Sequence, residues 1–455
     1  MIATTLFLFG LHFSEASLPL VADELPRRGT LGVPFSPLPP ELVSQNKLKP
    51  GEGLLVMAPL PGLTGAAAGL QANDILLSLN GTTIRPGVLQ GLVREAAVGK
   101  PVKFKVLRDG KTVELSANMV EKPRDPGNDN YSVSYSHVDS FGKKMRTIIT
   151  APKKPGKYPA IFFIQGFSPV SYDYTLATAT GDVSTIDGPI LNDLANSGFV
   201  TMRVEKPGVG DSEGGPFVDL DYTTELDIYR QALKQLKSQS SVDTDNVFIF
   251  GHSMGGSFGP MVACEIPVKG LAVYGTAGRT WHEYLNDTVR YQALLAGDTF
   301  ENVDDTVRQV DQLMALLFHE DKTIAEVKKS HPQLAPIADA FMPGGLFNGK
   351  TLKFWNQLGK TNFSKYWTNC NAHVLAVKGV SDFVTYDADH QLIADVINRK
   401  NPGWGRFVHL PNSDHLFHNF PTEAESLKNW QRGKFNNDFS KVLKDWIAEV
   451  MAGKA

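Results

Sequence analysis

One serine of this sequence stands where it would act as a nucleophile. Residues 251–256 read GHSMGG, so Ser253 lies between Gly251 and Gly255 in a GxSxG pattern. The apolar run 246–250 before it predicts a strand, and a helical pattern follows it. A serine on a sharp strand-to-helix turn has strained backbone angles, and the residues two before and two after it must be small to avoid collision. The pattern therefore predicts that the Ser253 hydroxyl attacks a carbonyl carbon.

A serine hydroxyl needs a base to take its proton, and the base needs a carboxylate to orient it. In the fold that places a serine on such a turn, the acid follows the serine in the chain and the histidine follows the acid. Asp382 lies in the segment 379–384 (GVSDFV), directly after a predicted strand at 373–378. Ligand sites of open α/β sheets collect at the carboxyl ends of strands. We therefore expect Asp382 to be the acid of a catalytic triad.

The base of the triad is expected in the turn-rich segment 411–418 (PNSDHLFH), which follows a short predicted strand at 406–410. His415 is the predicted base, because an Asp-His pair ahead of a helix is the usual arrangement for this loop. His418 is its rival, and His409 is disfavoured because it lies within the strand.

Attack on a carbonyl group also needs hydrogen-bond donors for the oxyanion that develops. The backbone N–H of Met254, at the start of the predicted helix, is the first expected donor. The second is expected from the loop after Ile164, which reads QGFSP. Phe167 is favoured there, because the glycine before it admits a close approach of the backbone.

The part of the chain from residue 131 to 455 alternates between predicted strands and helices. Strand-like runs fall at 145–150, 159–164, 199–204, 246–250, 270–274 and 373–378, and helical patterns at 189–196, 222–238 and 254–264. Strands that are apolar throughout and alternate with helices predict a mostly parallel sheet covered by helices on both faces. Between 276 and 366 only helical patterns remain, which predicts a helical cap inserted between two strands.

A polar, turn-rich segment at 121–130 (EKPRDPGNDN) is predicted to be a linker, and it follows a smaller unit at 28–120. Within that unit, GAAAGLQANDI at 65–75 and LNG at 79–81 resemble the core signature of PDZ domains. The segment 28–33 (RGTLGV) is similar to the carboxylate-binding loop of circularly permuted bacterial PDZ domains.

The PDZ resemblance implies a binding site for a peptide C-terminus. Leu31, Gly32 and Val33 would present backbone N–H groups to the terminal carboxylate, and the peptide would add a strand to the adjoining sheet edge. The alternative is that Gly32 only makes a turn before a strand.

The larger unit resembles bacterial α/β-hydrolases over about residues 131–452. The segment 203–214 (RVEKPGVGDSEG) is similar to their loop after the fourth strand, and GHSMGG, GVSDFV and SDH are similar to their triad segments. Gln165 is a departure, since the family more often has histidine there. The resemblance implies an α/β-hydrolase fold with a helical cap, preceded by a small PDZ-like β+α domain, and a carboxylesterase-like or peptidase-like enzyme that uses no cofactor.

Three functions stay open from the sequence. Hydrolysis of a small carboxylic ester is the leading one, and a serine peptidase of the aminopeptidase or prolyl-oligopeptidase kind is the second. PDZ modules often accompany proteases, but the cap segment lacks an obvious acidic cluster for a substrate amino group. The third is a PDZ-based binding protein with an inert hydrolase fold, and the complete set of triad residues speaks against it.

Composition excludes several other classes of protein. The 455 residues carry 45 Lys and Arg against 48 Asp and Glu, a net charge of −3, and no basic run exceeds two residues. Nucleic acid is therefore not an expected partner. The two cysteines, Cys264 and Cys370, form no CxxC pair and HExxH is absent, so no metal site is expected.

The N-terminus is almost wholly apolar over residues 1–13 (MIATTLFLFGLHF) and continues into a small-x-small site at 14–16. The stretch is too short for a stable membrane-spanning helix and is typical of a signal peptide, which we predict at 1–16. The expected location is secreted or periplasmic, or cytoplasmic if the segment is not a signal. No other stretch is apolar enough to predict a membrane span.

Overall fold

The computed structural model describes residues 25–49, 51–85, 88–173, 176–178, 181–183 and 186–454. The predicted signal peptide at 1–16 lies outside them. The described residues form a small β-rich unit followed by a large α/β unit.

The small unit is built around an antiparallel sheet. Its strands are β1 Gly29–Thr30, β2 Phe35–Pro37, β3 Leu54–Val56, β4 Ile75–Leu79, β5 Thr82–Thr83, β6 Pro101–Arg108, β7 Lys111–Asn118 and β8 Val120–Glu121, and its helices are α1 Pro40–Gln45, α2 Thr64–Ala68 and α3 Val88–Glu95. The order β2-β3-β4-β6-β7 leaves β2 at an edge, and β5 pairs with β4. In β6, Val102, Phe104 and Val106 are buried while the lysines between them are exposed, so only one face of the sheet covers the core.

The two ends of the small unit lie side by side. Strands β1 and β8 pair antiparallel, with Gly29 opposite Glu121 and Thr30 opposite Val120. Arg27, just before β1, is buried in the large unit, where its guanidinium pairs with Asp173 at 2.6 Å and also with Asp211. The chain is therefore anchored to the large unit before it enters the small one.

The large unit contains an eight-stranded sheet. The strands of this unit are β9 Tyr131–Ser140, β10 Lys143–Pro152, β11 Tyr158–Ile164, β12 Leu176–Thr178, β13 Gly181–Val183, β14 Val200–Val204, β15 Val242–His252, β16 Gly270–Tyr274, β17 His373–Gly379 and β18 Gly405–Leu410. The sheet order is β18-β17-β16-β15-β11-β14-β10-β9; β10 runs antiparallel to both its neighbours, and the other adjacent pairs are parallel. Strands β12 and β13 form a separate hairpin. The predicted, mostly parallel α/β architecture is confirmed.

Helices cover both faces of this sheet. They are α4 Gly188–Asn196, α5 Tyr222–Lys237, α6 Met254–Glu265, α7 Trp281–Leu295, α8 Phe300–Met314, α9 Ile324–Ser330, α10 Ala335–Phe341, α11 Leu352–Gly359, α12 Phe363–Asn369, α13 Asp387–Lys400, α14 Glu423–Lys428 and α15 Asp438–Met451. Along β11, Phe162 packs in the core with α5 and α6, while its neighbours Ile161 and Phe163 pack in a second core with α4 and α15. Because successive strand residues point to opposite faces, both faces of the sheet are buried.

Helices α7 to α12 lie between β16 and β17 in the chain and form the cap. Their aromatic side chains Trp281, Phe354, Trp355, Phe363 and Trp367 are buried in the same apolar cluster as α5 and α6, so the cap shares its core with one face of the sheet. Within the described ranges, no helix combines the length and the apolar character needed to cross a membrane.

Candidate active site

Ser253 lies at the junction of β15 and α6, on a backbone with φ +53° and ψ −125°. A residue with a side chain rarely adopts these angles, and here the Ser253 N–H is held by the carbonyl oxygen of Tyr274 at 2.9 Å. A Cβ added to Gly255 would lie 2.0 Å from the carbonyl oxygen of Ile164, and one added to Gly251 would lie 2.7 Å from that of Gly255. Both flanking positions therefore require glycine.

Ser253, His415 and Asp382 are in hydrogen-bond contact. His415 Nε2 is 2.9 Å from Ser253 Oγ, and His415 Nδ1 is 3.0 Å from Asp382 Oδ2. The Asp382 carboxylate is buried and also accepts the N–H groups of Val384 and Thr385 and the Thr385 hydroxyl, at 2.7, 3.1 and 2.7 Å. Burial would raise the pKa of Asp382, but His415, the charge of Lys378 and the Thr385 hydroxyl hold it well below its usual range. The carboxylate is thus charged when it faces the imidazole.

The two other histidines considered from the sequence lie elsewhere. The Nδ1 atom of His418 is 3.7 Å from the Asp414 carboxylate. His409 is exposed on β18 and pairs with Asp387 at 2.9 Å. The structure brings His415, and not His418 or His409, to Ser253.

The loop that carries His415 is fixed by the residue before it. The buried Asp414 carboxylate accepts the N–H groups of Leu416 and His418 at 2.8 and 2.7 Å and the Ser426 hydroxyl at 3.1 Å. The Asp414 carbonyl oxygen accepts the Tyr274 hydroxyl at 2.6 Å. The side chain of His415 is therefore presented from a rigid turn.

A second histidine, His252, lies behind the triad residues, and the sequence analysis missed its role. Its Nε2 donates to the carbonyl oxygen of His415 at 2.8 Å, and its Nδ1 is 2.9 Å from Asp187. Burial lowers the pKa of His252, but the Asp187 carboxylate outweighs this and raises it. His252 occupies the variable position of GxSxG, and no spacing rule connects that position to Asp187.

The backbone N–H groups expected to bind the oxyanion are those of Met254, which follows Ser253 in the chain, and of Phe167, which lines the same pocket as Ser253. Neither donates to an acceptor in the part of the chain that the structure describes. Gly166, directly before Phe167, lies against the nucleophile: a Cβ added there would be 3.3 Å from Ser253 Cβ. An oxyanion formed at Ser253 would require such unengaged donors.

A pocket of about 160 Å³ opens beside Ser253 and these two donors. Aromatic side chains dominate its wall: Phe167, Trp281, Tyr284 and Trp355. The Trp355 ring stacks on the Trp281 ring at 5.4 Å and lies 5.3 Å from the Phe167 ring. Among the described residues that line the pocket, none carries a formal charge.

The segment predicted to bind a carboxylate lines a separate groove on the small unit. This groove has a volume of about 560 Å³, and its wall includes Leu31, Gly32, Val33, Phe35, Leu89 and Val93. Gly32 has φ +63°, and β2, which follows this segment, is an edge strand of its sheet. The groove therefore lies between an open strand edge and α3.

Comparison with known proteins gives two family matches. A family model described as X-Pro dipeptidyl-peptidase (S15 family) matches residues 142–415, and a PDZ-domain model matches residues 29–119. Esterase EstD of Thermotoga maritima is 26% identical over 190 residues, which are 39% of this chain and 42% of that protein. A probable periplasmic serine endoprotease, DegP-like, of Chlamydia trachomatis is 30% identical over 109 residues, 24% of this chain and 22% of that protein. The chain thus spans less than half the length of these curated relatives.

Solved structures also match this chain over about 70% of its length. Est1E from Butyrivibrio proteoclasticus has a TM-score of 0.43 and 15% identity, and covers 70% of this chain and 99% of its own. A proline iminopeptidase from Mycobacterium smegmatis has a TM-score of 0.42 and 16% identity, and covers 71% of this chain and 100% of its own.

Proposed function

We propose that this chain, which belongs to the X-Pro dipeptidyl-peptidase (S15) family, is a serine hydrolase that cleaves carboxylic esters through an acyl-enzyme on Ser253. The observation that carries the proposal is the continuous chain of contacts from Ser253 Oγ through His415 to Asp382, at 2.9 and 3.0 Å. The presence of all three groups in contact argues against an inert hydrolase fold.

In the proposed mechanism, His415 Nε2 removes the Ser253 proton as the hydroxyl oxygen attacks the ester carbonyl carbon. Asp382 fixes the imidazole tautomer and stabilises the imidazolium that forms. The N–H groups of Met254 and Phe167 hold the oxyanion, and His415 then returns the proton to the leaving alcohol. Water, activated by the same imidazole, releases the acid from Ser253.

The pocket beside Ser253 supports a short, uncharged acyl group. A cavity of about 150 Å³ holds one benzene molecule, so a pocket of about 160 Å³ would take an acyl group of that size. A charged acyl group would lose its hydration there without a partner, because none of the described lining residues offers an opposite charge.

Peptide cleavage after proline is the second candidate, and the match to the S15 family over residues 142–415 favours it. A proline ring would also fit an aromatic pocket of this size. Release of an X-Pro dipeptide, however, requires recognition of a free amino group, and the described lining of the pocket has no carboxylate for it.

A panel of substrates separates the two candidates. We expect kcat/KM to be highest for p-nitrophenyl butyrate and benzoate and more than tenfold lower for the dodecanoate, because a long chain exceeds the pocket. The hemisuccinate ester, which has a charged acyl group, should fall by a similar factor. Turnover of Ala-Pro-p-nitroanilide at a kcat/KM equal to or above that of the butyrate would instead establish the peptidase. Ser253→Ala serves as the background in every assay.

For the small unit we propose that the groove at Leu31 to Val33 binds the C-terminus of a peptide. The open edge of β2 and the apolar wall of the groove support this binding mode. The DegP-like relatives are named periplasmic, which supports the same compartment for this chain.

The pairing of β1 with β8 allows the small unit to be removed while the chain on either side of it stays connected. Thr30 and Val120 are antiparallel partners, so an Asn-Gly turn can replace residues 31–119 while Arg27 is kept. We expect this excised chain to hydrolyse p-nitrophenyl butyrate with kcat/KM within threefold of the full chain, since no triad residue is removed. A loss of tenfold or more in the folded excised chain would show that the small unit contributes to the site.

A chain cut at residue 121 is the comparison. It lacks Arg27 and so breaks the buried ion pairs with Asp173 and Asp211. Asp173 keeps its pair with Lys122 and Asp211 its pair with Arg146, so the loss of stability should be smaller than the about 3 kcal/mol typical of a buried charge left alone. Thermal melts of the two shortened chains should therefore differ, with the excised chain the more stable.

A further inference from the structure

A buried lysine contacts the loop that carries Phe167. Lys206 follows β14 and is only 1% exposed. Its ammonium donates to the carbonyl oxygens of Gly166 and Phe167 at 2.6 and 2.9 Å and pairs with Glu225 at 2.7 Å. An ammonium has three protons, and each of them therefore has an acceptor.

The contact with the Gly166 carbonyl group determines where the Phe167 N–H points. The two groups belong to one trans peptide unit, so they point in opposite directions. With the carbonyl oxygen on Lys206, the N–H points away from Lys206, and Gly166 itself lies against Ser253. A cation on the carbonyl oxygen also polarises the peptide and strengthens the N–H as a donor.

Glu225, on α5, is in contact with both Lys206 and the cap residue Lys350. Besides Lys206, its carboxylate accepts the Tyr229 hydroxyl at 2.9 Å and pairs with Lys350 at 3.3 Å. Lys350 comes from the cap segment and lies over the rings of Phe354 and Phe217 at 4.0 and 4.2 Å. Two ammonium groups thus share one buried carboxylate, and burial lowers the pKa of Lys350 to about 8.

We propose that Lys206 is a positioning residue for the hydrolytic reaction: its ammonium, held by Glu225, orients the Gly166–Phe167 peptide so that the Phe167 N–H binds the oxyanion. The inference rests on the proposed function, because it concerns the oxyanion formed by attack of Ser253. Lys206 itself touches neither the substrate nor the reacting atoms.

The test replaces Lys206 with methionine, which has a similar length but no donor. Glu225 keeps Lys350 and Tyr229, so no buried carboxylate is left alone. Loss of one oxyanion donor lowers kcat by about 10²- to 10³-fold. We expect Lys206→Met to lower kcat on p-nitrophenyl butyrate on the order of 10²-fold, with KM within threefold. A trifluoromethyl ketone, which adds to Ser253 and presents an oxyanion, should bind more weakly by a similar factor, and Lys206→Arg should recover most of the loss.

Lys353→Met is the matched control. Lys353 also pairs with a carboxylate, that of Asp221, but it lies exposed on α11. Its replacement should leave kcat, KM and trifluoromethyl ketone binding within threefold of the parent chain.

The rate of labelling by a fluorophosphonate separates this proposal from the choice of substrate. Phosphonylation of Ser253 places an oxygen in the same hole, so Lys206→Met should slow labelling even if the parent chain hydrolyses none of the esters. Labelling and kcat within threefold of the parent, or a raised KM with unchanged kcat, would overturn the proposal. If Lys206→Met does not fold, Glu225→Gln takes its place: we expect labelling to slow about tenfold, a smaller loss than that of a full donor, and an unchanged labelling rate would overturn the proposal.

Discussion

Replacing Ser253 with alanine is expected to lower kcat on p-nitrophenyl butyrate by on the order of 10⁶-fold, the loss seen when the nucleophile of a serine protease is removed. The reason is that no acyl-enzyme can form without the hydroxyl oxygen that His415 contacts at 2.9 Å. The measurement is initial-rate kinetics together with a thermal melt. The fold should persist, because alanine removes only the hydroxyl group and keeps the Cβ atom of Ser253.

The control for this prediction is Ser364→Ala, at an exposed serine on α12, which should leave the rate within threefold. Ser253→Gly provides a second comparison. Glycine adopts φ +53° and ψ −125° without strain, so it should raise the melting temperature while abolishing activity, as strained residues cost about 1–3 kcal/mol each. A Ser253→Ala chain that keeps more than a few per cent of the parental rate, or that is still labelled by a fluorophosphonate at the same rate, would show that another residue is the nucleophile.

The sharp strand-to-helix turn at Ser253 could be predicted because it follows from local constraints. A serine on a strained turn requires Gly251 and Gly255, since their added Cβ atoms would meet backbone atoms of the same turn or of β11. The apolar strands of the large sheet are local signals as well, because a strand buried on both faces must be apolar throughout. Both patterns are visible in the sequence without knowledge of which distant residues come into contact.

Contacts between distant residues could not be predicted in this way. Lys206 and Glu225 are ordinary charged residues in the sequence, and their pairing depends on how α5 lies beside the loop after β14. The same holds for Arg27, which enters the large unit ahead of the small one.

Strand β9 was also missed, because its buried side chains include polar ones. Ser136 and His137 are both buried in it, and the Gln235 amide of α5 donates to the Ser136 hydroxyl at 3.1 Å and to the His137 carbonyl oxygen at 2.8 Å. A strand whose inward positions carry polar side chains lacks the apolar alternation on which strand prediction depends.

His415→Ala is expected to lower kcat by a factor close to that of Ser253→Ala, since the nucleophile and the base act as one unit and losing either removes the same step. His418→Ala should leave kcat within about threefold, because the His418 ring lies against Asp414 and not against Ser253. The two histidines are three positions apart in one loop. A difference between the two variants would therefore reflect the contact of the histidine ring with Ser253 and not its place in the sequence. The measurement is kcat for both variants on p-nitrophenyl butyrate at the same pH.

The contacts of Asp414 explain why the loss of the His418 ring should not disturb the loop that carries His415. The Asp414 carboxylate accepts the backbone N–H of His418 and not its ring, so removal of the ring leaves the turn intact. Both variants should therefore melt near the parental temperature. Removing Asp414 itself, by Asp414→Ala, should lower stability and activity together, because the N–H groups of Leu416 and His418 then lose their acceptor and the turn that presents His415 loosens. If His418→Ala loses activity as fully as His415→Ala while keeping its melting temperature, the base has been assigned to the wrong histidine.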